Sequence, residues 1–158
     1  GDVLKIPAFK VEESVATVPG TDGQKMSKSY GNTVNIFGEE KSQLKTIKKI
    51  VTENVALEEP KEFESCNVYN MAKLFLEGEN LKSLEDRYKK GGEGHGHFKV
   101  YLAEVMWEYF KEYRTKRDYY VKNQDEVKEI LISGSNKARE VAAPMMEKIR
   151  SVTGIRYS

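Results

Sequence analysis

Apolar side chains recur at helical spacing along the chain from about residue 35 to its end. Residues three and four apart lie on one face of an α-helix, so each apolar stripe indicates a helix with one buried face. Several such helices in succession can bury their stripes against one another, which predicts a mainly α fold, a helical bundle, over residues 35–158. The stripes contain Leu44, Ile47, Ile50 and Val51; Val68, Met71, Ala72, Phe75 and Leu76; Leu81, Leu84 and Tyr88; Tyr101, Leu102, Val105, Met106, Tyr109 and Phe110; Val127, Ile130 and Leu131; and Ala138, Val141, Ala142, Met145, Ile149 and Val152.

Glycines, a proline and capping residues predict where these helices begin and end. Four glycines between residues 91 and 96 predict a tight turn, with the longest helix starting after it at Phe98. Asn123, with Glu126 three residues later, predicts the N-terminus of the next helix. Helix ends are predicted at Ser133–Gly134 and at Gly154. Pro144 predicts a kink within the last helix.

The first 34 residues have a different character from the rest. Residues 15–18 are a β-prone run that ends at Pro19, which predicts one short edge strand of a sheet formed by other residues. The segments 19–23 and 30–32 are rich in turn-forming residues, so we expect the residues between them to form a loop.

That loop contains Lys25, Met26, Ser27, Lys28 and Ser29. Two ammonium groups three residues apart, with hydroxyl groups beside them, can meet the oxygens of a polyphosphate with both charge and hydrogen-bond donors. The pattern therefore predicts a nucleotide-binding loop. The alternative for lysine and serine in a turn is a solvated surface without a ligand.

The longer string that runs from Pro19 to Asn32 resembles the second signature of the class I aminoacyl-tRNA synthetases, Pro-Gly-x-Asp-Gly-x-Lys-Met-Ser-Lys-Ser-x-Gly-Asn. In that family the loop closes over ATP while the amino acid attacks the α-phosphate. The resemblance implies ATP and Mg²⁺ as cofactors. It implies that Lys25 and Lys28 are catalytic, and that ATP is bound by Lys25, Met26, Ser27, Lys28 and Ser29.

Two further stretches resemble one branch of the class. The pattern Lys-x-Gly-Gly-x-Gly-x-Gly-x-x-Lys over residues 89–99 is similar to a segment of bacterial tryptophanyl-tRNA synthetases. Residues 133–139 resemble the segment that opens the last helix of that family. Two alternatives stay open: a tyrosyl-tRNA synthetase, which shares the lysine-rich signature, and a noncatalytic RNA-binding helical module that retains the loop.

The resemblance also implies a domain organisation. Residues 1–34 would be the tail end of a Rossmann-type α/β nucleotide-binding domain, and residues 35–158 a helical domain that binds the tRNA anticodon. Helix ends offer amides, carboxamides and cations to unpaired bases, so Asn67 and Arg139, each near the start of a predicted helix, are the expected anticodon residues. The alternative for each is helix capping or surface charge. The other class signature, His-x-Gly-His, does not occur, and the chain begins with Gly1. We therefore expect this chain to be the C-terminal portion of a tryptophan–tRNA ligase, and we expect that portion to be inactive by itself. The expected substrates of the whole protein are ATP, L-tryptophan and tRNA(Trp), and the expected assembly is a homodimer.

The amino-acid composition mainly excludes certain partners and sites. The chain has 26 Lys and Arg against 25 Asp and Glu, so net charge does not by itself indicate a nucleic-acid partner. The single cysteine is compatible with a reducing compartment, and no apolar run has the length of a membrane span. We therefore expect a cytoplasmic protein with no membrane partner. His95 and His97 alone are too few ligands for a metal site, so none is predicted.

Overall fold

The computed structural model describes residues 3–11 and 17–155. Two compact units divide the chain: one is Val11–Arg114, and the other combines Gly1–Lys10 with Thr115–Ser158. The described residues form six α-helices and no strand, which confirms the mainly α prediction. Of the strand predicted at residues 15–18, residues 15 and 16 lie outside the described residues, and residues 17 and 18 are not in a strand. The helices are α1 (Glu40–Ile47), α2 (Asn67–Ala72), α3 (Gly78–Lys90), α4 (His95–Tyr109), α5 (Lys111–Lys122) and α6 (Gln124–Thr153).

The hydrophobic core of the Val11–Arg114 unit is built around α4, which packs against α1 and α2. At its centre the rings of Tyr88 and Phe98 stack with their centroids 3.8 Å apart. Tyr69 packs edge-on against Tyr88 and donates a 2.6 Å hydrogen bond to Glu85. The predicted apolar stripes between residues 44 and 110 supply most of the core. Those at residues 127–152 differ from the prediction, because α6 has no buried residue and most of its apolar stripe is exposed. The fully buried side chains include Ile47, Ile50, Val68, Met71, Tyr88, Phe98 and Leu102.

The glycine-rich turn follows α3 and packs against the loop of residues 56–59. Gly91 has φ +70° and ψ −172°, a conformation nearly restricted to glycine, and a Cβ there would collide with the Glu58 carbonyl oxygen. The Gly92 amide donates a 2.9 Å hydrogen bond to the Leu57 carbonyl. The predicted tight turn between helices is thus confirmed, and its first glycine serves a close approach of two backbone segments.

A buried lysine organises the other side of this contact. Lys61 is only 4% exposed, and its Nζ donates to the carbonyls of Ala56, Leu57 and Glu59 at 3.0, 3.2 and 2.8 Å. These carbonyls satisfy all three ammonium hydrogens, as burial of a charged group requires. The loop is therefore closed on itself by a side chain that the apolar pattern does not identify.

Two helix boundaries differ from the predictions. Helix α4 begins at His95, so Gly96 lies inside it, and the helix predicted from Phe98 through residue 116 is broken. Phe110 separates α4 from α5 with φ −91° and ψ 7°, outside helical geometry. Its ring packs against those of Phe75 and Tyr109, at 5.7 and 5.0 Å between centroids. Burial of this ring in an aromatic cluster accompanies the break.

The prediction that a helix stops at Ser133–Gly134 is wrong, because α6 runs unbroken from Gln124 to Thr153 and includes Pro144. One glycine in a helix costs only about 1 kcal/mol, and good helix formers lie beyond the run of residues 132–136 on both sides, with Glu129 and Leu131 before it and Lys137 and Ala138 after it. Asn123 precedes α6 as predicted, although its side chain donates to the Tyr119 carbonyl instead of capping the helix. Gly154, with φ +72°, ends the helix as predicted.

Candidate functional site

The lysine-rich loop starts from a narrow turn. Pro19 and Lys25 form an isolated antiparallel bridge, and the Met26 amide donates to the Val18 carbonyl at 2.8 Å. Between them the Gly20 amide donates to the Gln24 carbonyl at 2.6 Å. These backbone bonds fix the entry into the segment that carries both lysines.

The centre of the loop is partly buried, and the lysines on either side of it are exposed. Met26 is half-buried and packs against the hydrophobic core, whereas Lys25 and Lys28 are exposed. Ser27 precedes a short 3-10 helix, Lys28–Tyr30, and its Oγ accepts a 3.2 Å hydrogen bond from the Ser29 amide. The structure therefore brings the two predicted catalytic lysines together on the exposed side of one ordered loop, anchored by the methionine between them.

Neither loop lysine is in an ion pair or a side-chain hydrogen bond in the described part of the chain. Asp22 lies at the base of the same loop, and a hydrogen bond from Asn32 holds the pKa of its carboxyl below the usual value. The Asp22 carboxylate is therefore engaged in a hydrogen bond within the loop and does not pair with either lysine. Two exposed ammonium groups remain available for an anionic ligand.

Asn32 lies at the centre of the loop and is only 3% exposed. Its Nδ2 donates to Asp22 Oδ1 at 2.8 Å and to the Lys25 carbonyl at 3.2 Å, and its Oδ1 accepts from the Ser27 amide at 2.8 Å. From the sequence, Asn32 is recognisable as part of a turn and as the last residue of the signature string, but not as the residue that holds the loop together. An asparagine after a glycine is too common a turn signal to reveal this role.

The loop is attached to the helical part of its unit. The Val51 amide donates to the Thr21 carbonyl at 2.9 Å, and Asn67 Nδ2 donates to the Val51 carbonyl at 3.0 Å. Gly23, with φ +82°, lies so close to the Asn67 carboxamide that a Cβ would collide with it. Asn67, predicted to read an anticodon base, therefore lies at the base of the nucleotide loop.

The second predicted anticodon residue, Arg139, is in the other compact unit. It is exposed on α6, and its Nη1 donates to Asn136 Oδ1 at 3.0 Å. The anticodon role of Asn67 and Arg139 stays a prediction.

The two histidines of the glycine-rich segment have separate roles. His97 Nδ1 accepts a 3.2 Å hydrogen bond from the Gly94 amide and so caps the start of α4. His95 Nδ1 lies 3.9 Å from Cys66 Sγ, and its Nε2 is buried without a partner among the described residues. Within the same residues, no group of three or more His, Cys, Asp or Glu side chains is arranged to hold a metal ion.

A cavity of about 230 Å³ opens beside His95 and the base of the loop. Most of its lining residues are polar, and it was not indicated by any motif, because its walls come from three separate segments. The lining residues are Val51, Thr52, Glu53, Glu62, Ser65, Cys66, Asn67 and His95.

His95 should make stability depend on pH. Burial, with the charges of Lys61 and Lys99, lowers its pKa, while Glu53 acts in the opposite sense. Below about pH 6.5 the imidazole of the unfolded chain binds a proton more readily than that of the folded chain. The free energy of unfolding therefore decreases as the pH falls from there toward the folded pKa, and at higher pH His95 causes no loss of stability. We expect the thermal midpoint of the full-length protein to fall less between about pH 7.5 and about pH 5.5 in His95→Gln than in the wild type.

His97→Gln is the matched control for this measurement, because it removes a neighbouring imidazole and keeps His95. It should retain the pH dependence of the wild type. Equal pH dependence of the wild type and His95→Gln would contradict the assignment.

No helix among the described residues is both long and apolar enough to cross a membrane. The family model of the class I tRNA synthetases for tryptophan and tyrosine (W and Y) matches residues 5–111.

Curated relatives match almost the entire chain. It is 49% identical over 155 residues to a tryptophan–tRNA ligase of Campylobacter jejuni strain RM1221, covering 98% of this chain and 49% of the relative. It is 40% identical over 156 residues to the tryptophan–tRNA ligase of Rhodopirellula baltica, covering 99% of this chain and 49% of the relative. The chain therefore spans about half the length of the curated relatives it matches.

Solved structures agree with this result. The structure of tryptophanyl-tRNA synthetase from Campylobacter jejuni in complex with ADP and tryptophan superimposes with a TM-score of 0.84 at 49% identity. The match covers 98% of this chain and 49% of that structure. With its signature loop, its helical fold and a family match over residues 5–111, the chain belongs to the class I tRNA synthetases of the tryptophan and tyrosine family.

Proposed function

We propose that this chain is the C-terminal part of a tryptophan–tRNA ligase. The whole protein activates tryptophan with ATP to tryptophanyl-adenylate and transfers the tryptophanyl group to tRNA(Trp). The observation that carries the proposal is the pair of exposed lysines, Lys25 and Lys28, on an ordered loop anchored through Met26. The names of the relatives favour tryptophan over tyrosine as the amino acid.

The charges on the loop fit the leaving group of this reaction. As the tryptophan carboxylate attacks the α-phosphorus of ATP, the bond to the β-phosphate breaks and negative charge grows on pyrophosphate. Lys25 and Lys28 stabilise that charge more strongly in the transition state than in bound ATP. Met26 and the Ser27 cap hold the backbone between them, so that little reorganisation is needed during the step.

Mg²⁺ enters the proposal as an ion carried by the phosphates of ATP. The site in this chain supplies cations to the same phosphate groups, and hard oxygen ligands for magnesium come from the nucleotide itself. Lys25 and Lys28 thus share with the ion the neutralisation of a polyphosphate.

The remaining parts of the proposal concern the whole protein. Residues 1–34 belong to the end of a Rossmann-type catalytic domain that contains most of the tryptophan site, and residues 35–158 form the anticodon-binding domain. The protein acts in the cytoplasm as a homodimer. Support comes from the family membership and from the share of its relatives, about half, that this chain covers.

The test is an amino-acid-dependent ATP–pyrophosphate exchange assay on the full-length protein. We expect exchange with tryptophan and none with tyrosine, followed by charging of tRNA(Trp). The 158-residue chain alone should show no exchange. Exchange with tyrosine in preference to tryptophan would instead establish the tyrosyl alternative, and no exchange with either would favour a noncatalytic module.

For the anticodon, we expect Asn67→Ala and Arg139→Ala each to lower charging at limiting tRNA by up to about tenfold, because a lost hydrogen bond to a base is worth about 1 kcal/mol. Pyrophosphate exchange should not change. A parallel loss of exchange in Asn67→Ala would instead assign Asn67 to the loop that it touches. No effect of either variant on charging would place anticodon recognition elsewhere on the bundle.

A further inference from the structure

We propose that Asn32 is a positioning residue for the reaction. Its carboxamide holds the backbone between Lys25 and Lys28 in the form that keeps both ammonium groups outward while Met26 packs inward. The proposal rests on the proposed function, because it concerns the same loop. Asn32 itself touches no reacting atom.

The hydrogen bonds of Asn32 connect the two sides of the loop. Nδ2 donates to Asp22 Oδ1 and to the carbonyl of Lys25, at 2.8 and 3.2 Å. Oδ1 accepts from the Ser27 amide at 2.8 Å, and the Asn32 carbonyl accepts from the Thr21 amide at 2.9 Å. One side chain therefore bonds to the backbone of one catalytic lysine and to that of the residue directly before the other.

Only a carboxamide of this length meets the pattern. The position needs two N–H donors and one acceptor on the same short side chain. Aspartate could accept from Ser27, but it could not donate to the Lys25 carbonyl and would face the carboxylate of Asp22. Alanine would leave the Ser27 amide and the Lys25 carbonyl without these partners.

Burial makes these bonds difficult to replace with water. Asn32 is only 3% exposed, and a Cβ on Gly20 would collide with its side chain. An unpaired polar group in such a place is costly, so the loop lowers its free energy by leaving this conformation when Asn32 is removed. The lysines would then spend less time where they meet the leaving pyrophosphate, although their own side chains are intact.

The test uses the full-length protein and two readouts, with Asn32→Ala and Asn32→Asp as variants. Hydrogen exchange of a peptide covering residues 20–32 should become at least about tenfold faster in both. The kcat of tryptophan-dependent pyrophosphate exchange should fall about tenfold, while the KM for tryptophan stays unchanged. Asn70→Ala is the matched control: it removes an exposed carboxamide that donates to the Glu64 carbonyl at 3.0 Å, and it should change neither readout.

Thermal unfolding separates positioning from folding. If Asn32→Ala does not fold, Asp22→Ala at the exposed end of the same bond gives the second test and should lower kcat by about threefold with faster exchange of the loop amides. Unchanged kcat with faster loop exchange, in an active wild type, overturns the positioning role and leaves the proposed function standing. An inactive full-length wild type overturns the function and this role with it.

Discussion

Lys28→Ala is expected to slow adenylate formation in the full-length protein by about 100-fold or more. The exposed ammonium group has no partner in the described ion pairs, and in the proposed reaction it acts on the charge that develops as pyrophosphate departs. Tryptophan affinity should change little, since the lost interaction is made with the leaving group. Single-turnover kinetics with labelled ATP, together with equilibrium tryptophan binding, measures both quantities.

Lys25→Ala should act in the same direction with a smaller effect, and Lys45→Ala provides a matched control. Lys45 is an equally exposed lysine in the last turn of α1, away from the signature loop. The Lys45→Ala variant should form the adenylate at the wild-type rate. Normal turnover with weakened tryptophan binding in Lys28→Ala would show that Lys28 contributes to ground-state binding and not to the transition state.

Gly91→Ala should destabilise the protein by about 3 kcal/mol or more, which combines the strain of a glycine-only conformation with a steric collision. The added Cβ would meet the carbonyl of Glu58, a backbone atom whose loop is closed by Lys61. The neighbouring atoms therefore have little freedom to yield. Denaturant unfolding of the full-length protein measures the change.

Two glycines of the same segment separate strain from collision. Gly92 also has positive φ, but nothing lies near its Cβ position, so Gly92→Ala should cost only about 1–2 kcal/mol. Gly96 lies inside α4 with open space around it, so Gly96→Ala should be neutral or stabilising by up to about 1 kcal/mol. If Gly91→Ala, Gly92→Ala and Gly96→Ala have the same free energy of unfolding, then the close contact between Gly91 and the Glu58 carbonyl does not exclude a side chain at position 91.

The sequence predicted the helices where a local pattern decides their position. The stripe containing Ile47 and Ile50, and the one containing Leu102 and Met106, are buried faces, as their 3.6-residue periodicity predicts. The stripe of α6 has the same periodicity but is largely exposed, because periodicity identifies an apolar face without supplying the element that covers it. The predicted stop at Gly134 was wrong for a different reason. The preference of Ser133 and Gly134 for a helix end is weak, and a helix that continues in good helix formers before and after them runs through the position.

The candidate site was predicted in its residues but not in its support. Lys25 and Lys28 stand within a recognisable string, whereas the bonds of Asn32, the packing of Gly23 on Asn67 and the buried Lys61 depend on contacts between distant segments. Such contacts exist only after the chain has folded. Residue patterns over short windows contain no direct signal for them.

The three carbonyls around Lys61 have a practical consequence for chemical labelling. Amine-directed acylating reagents attack the unprotonated, accessible amine, and the Lys61 ammonium is both buried and fully hydrogen-bonded. Lys25 and Lys28, in contrast, are exposed to solvent. Mass spectrometry after brief acylation should therefore show Lys25 and Lys28 modified before Lys61. Protection of those two lysines by ATP could be measured against Lys61 as an internal unreactive standard in the same molecule.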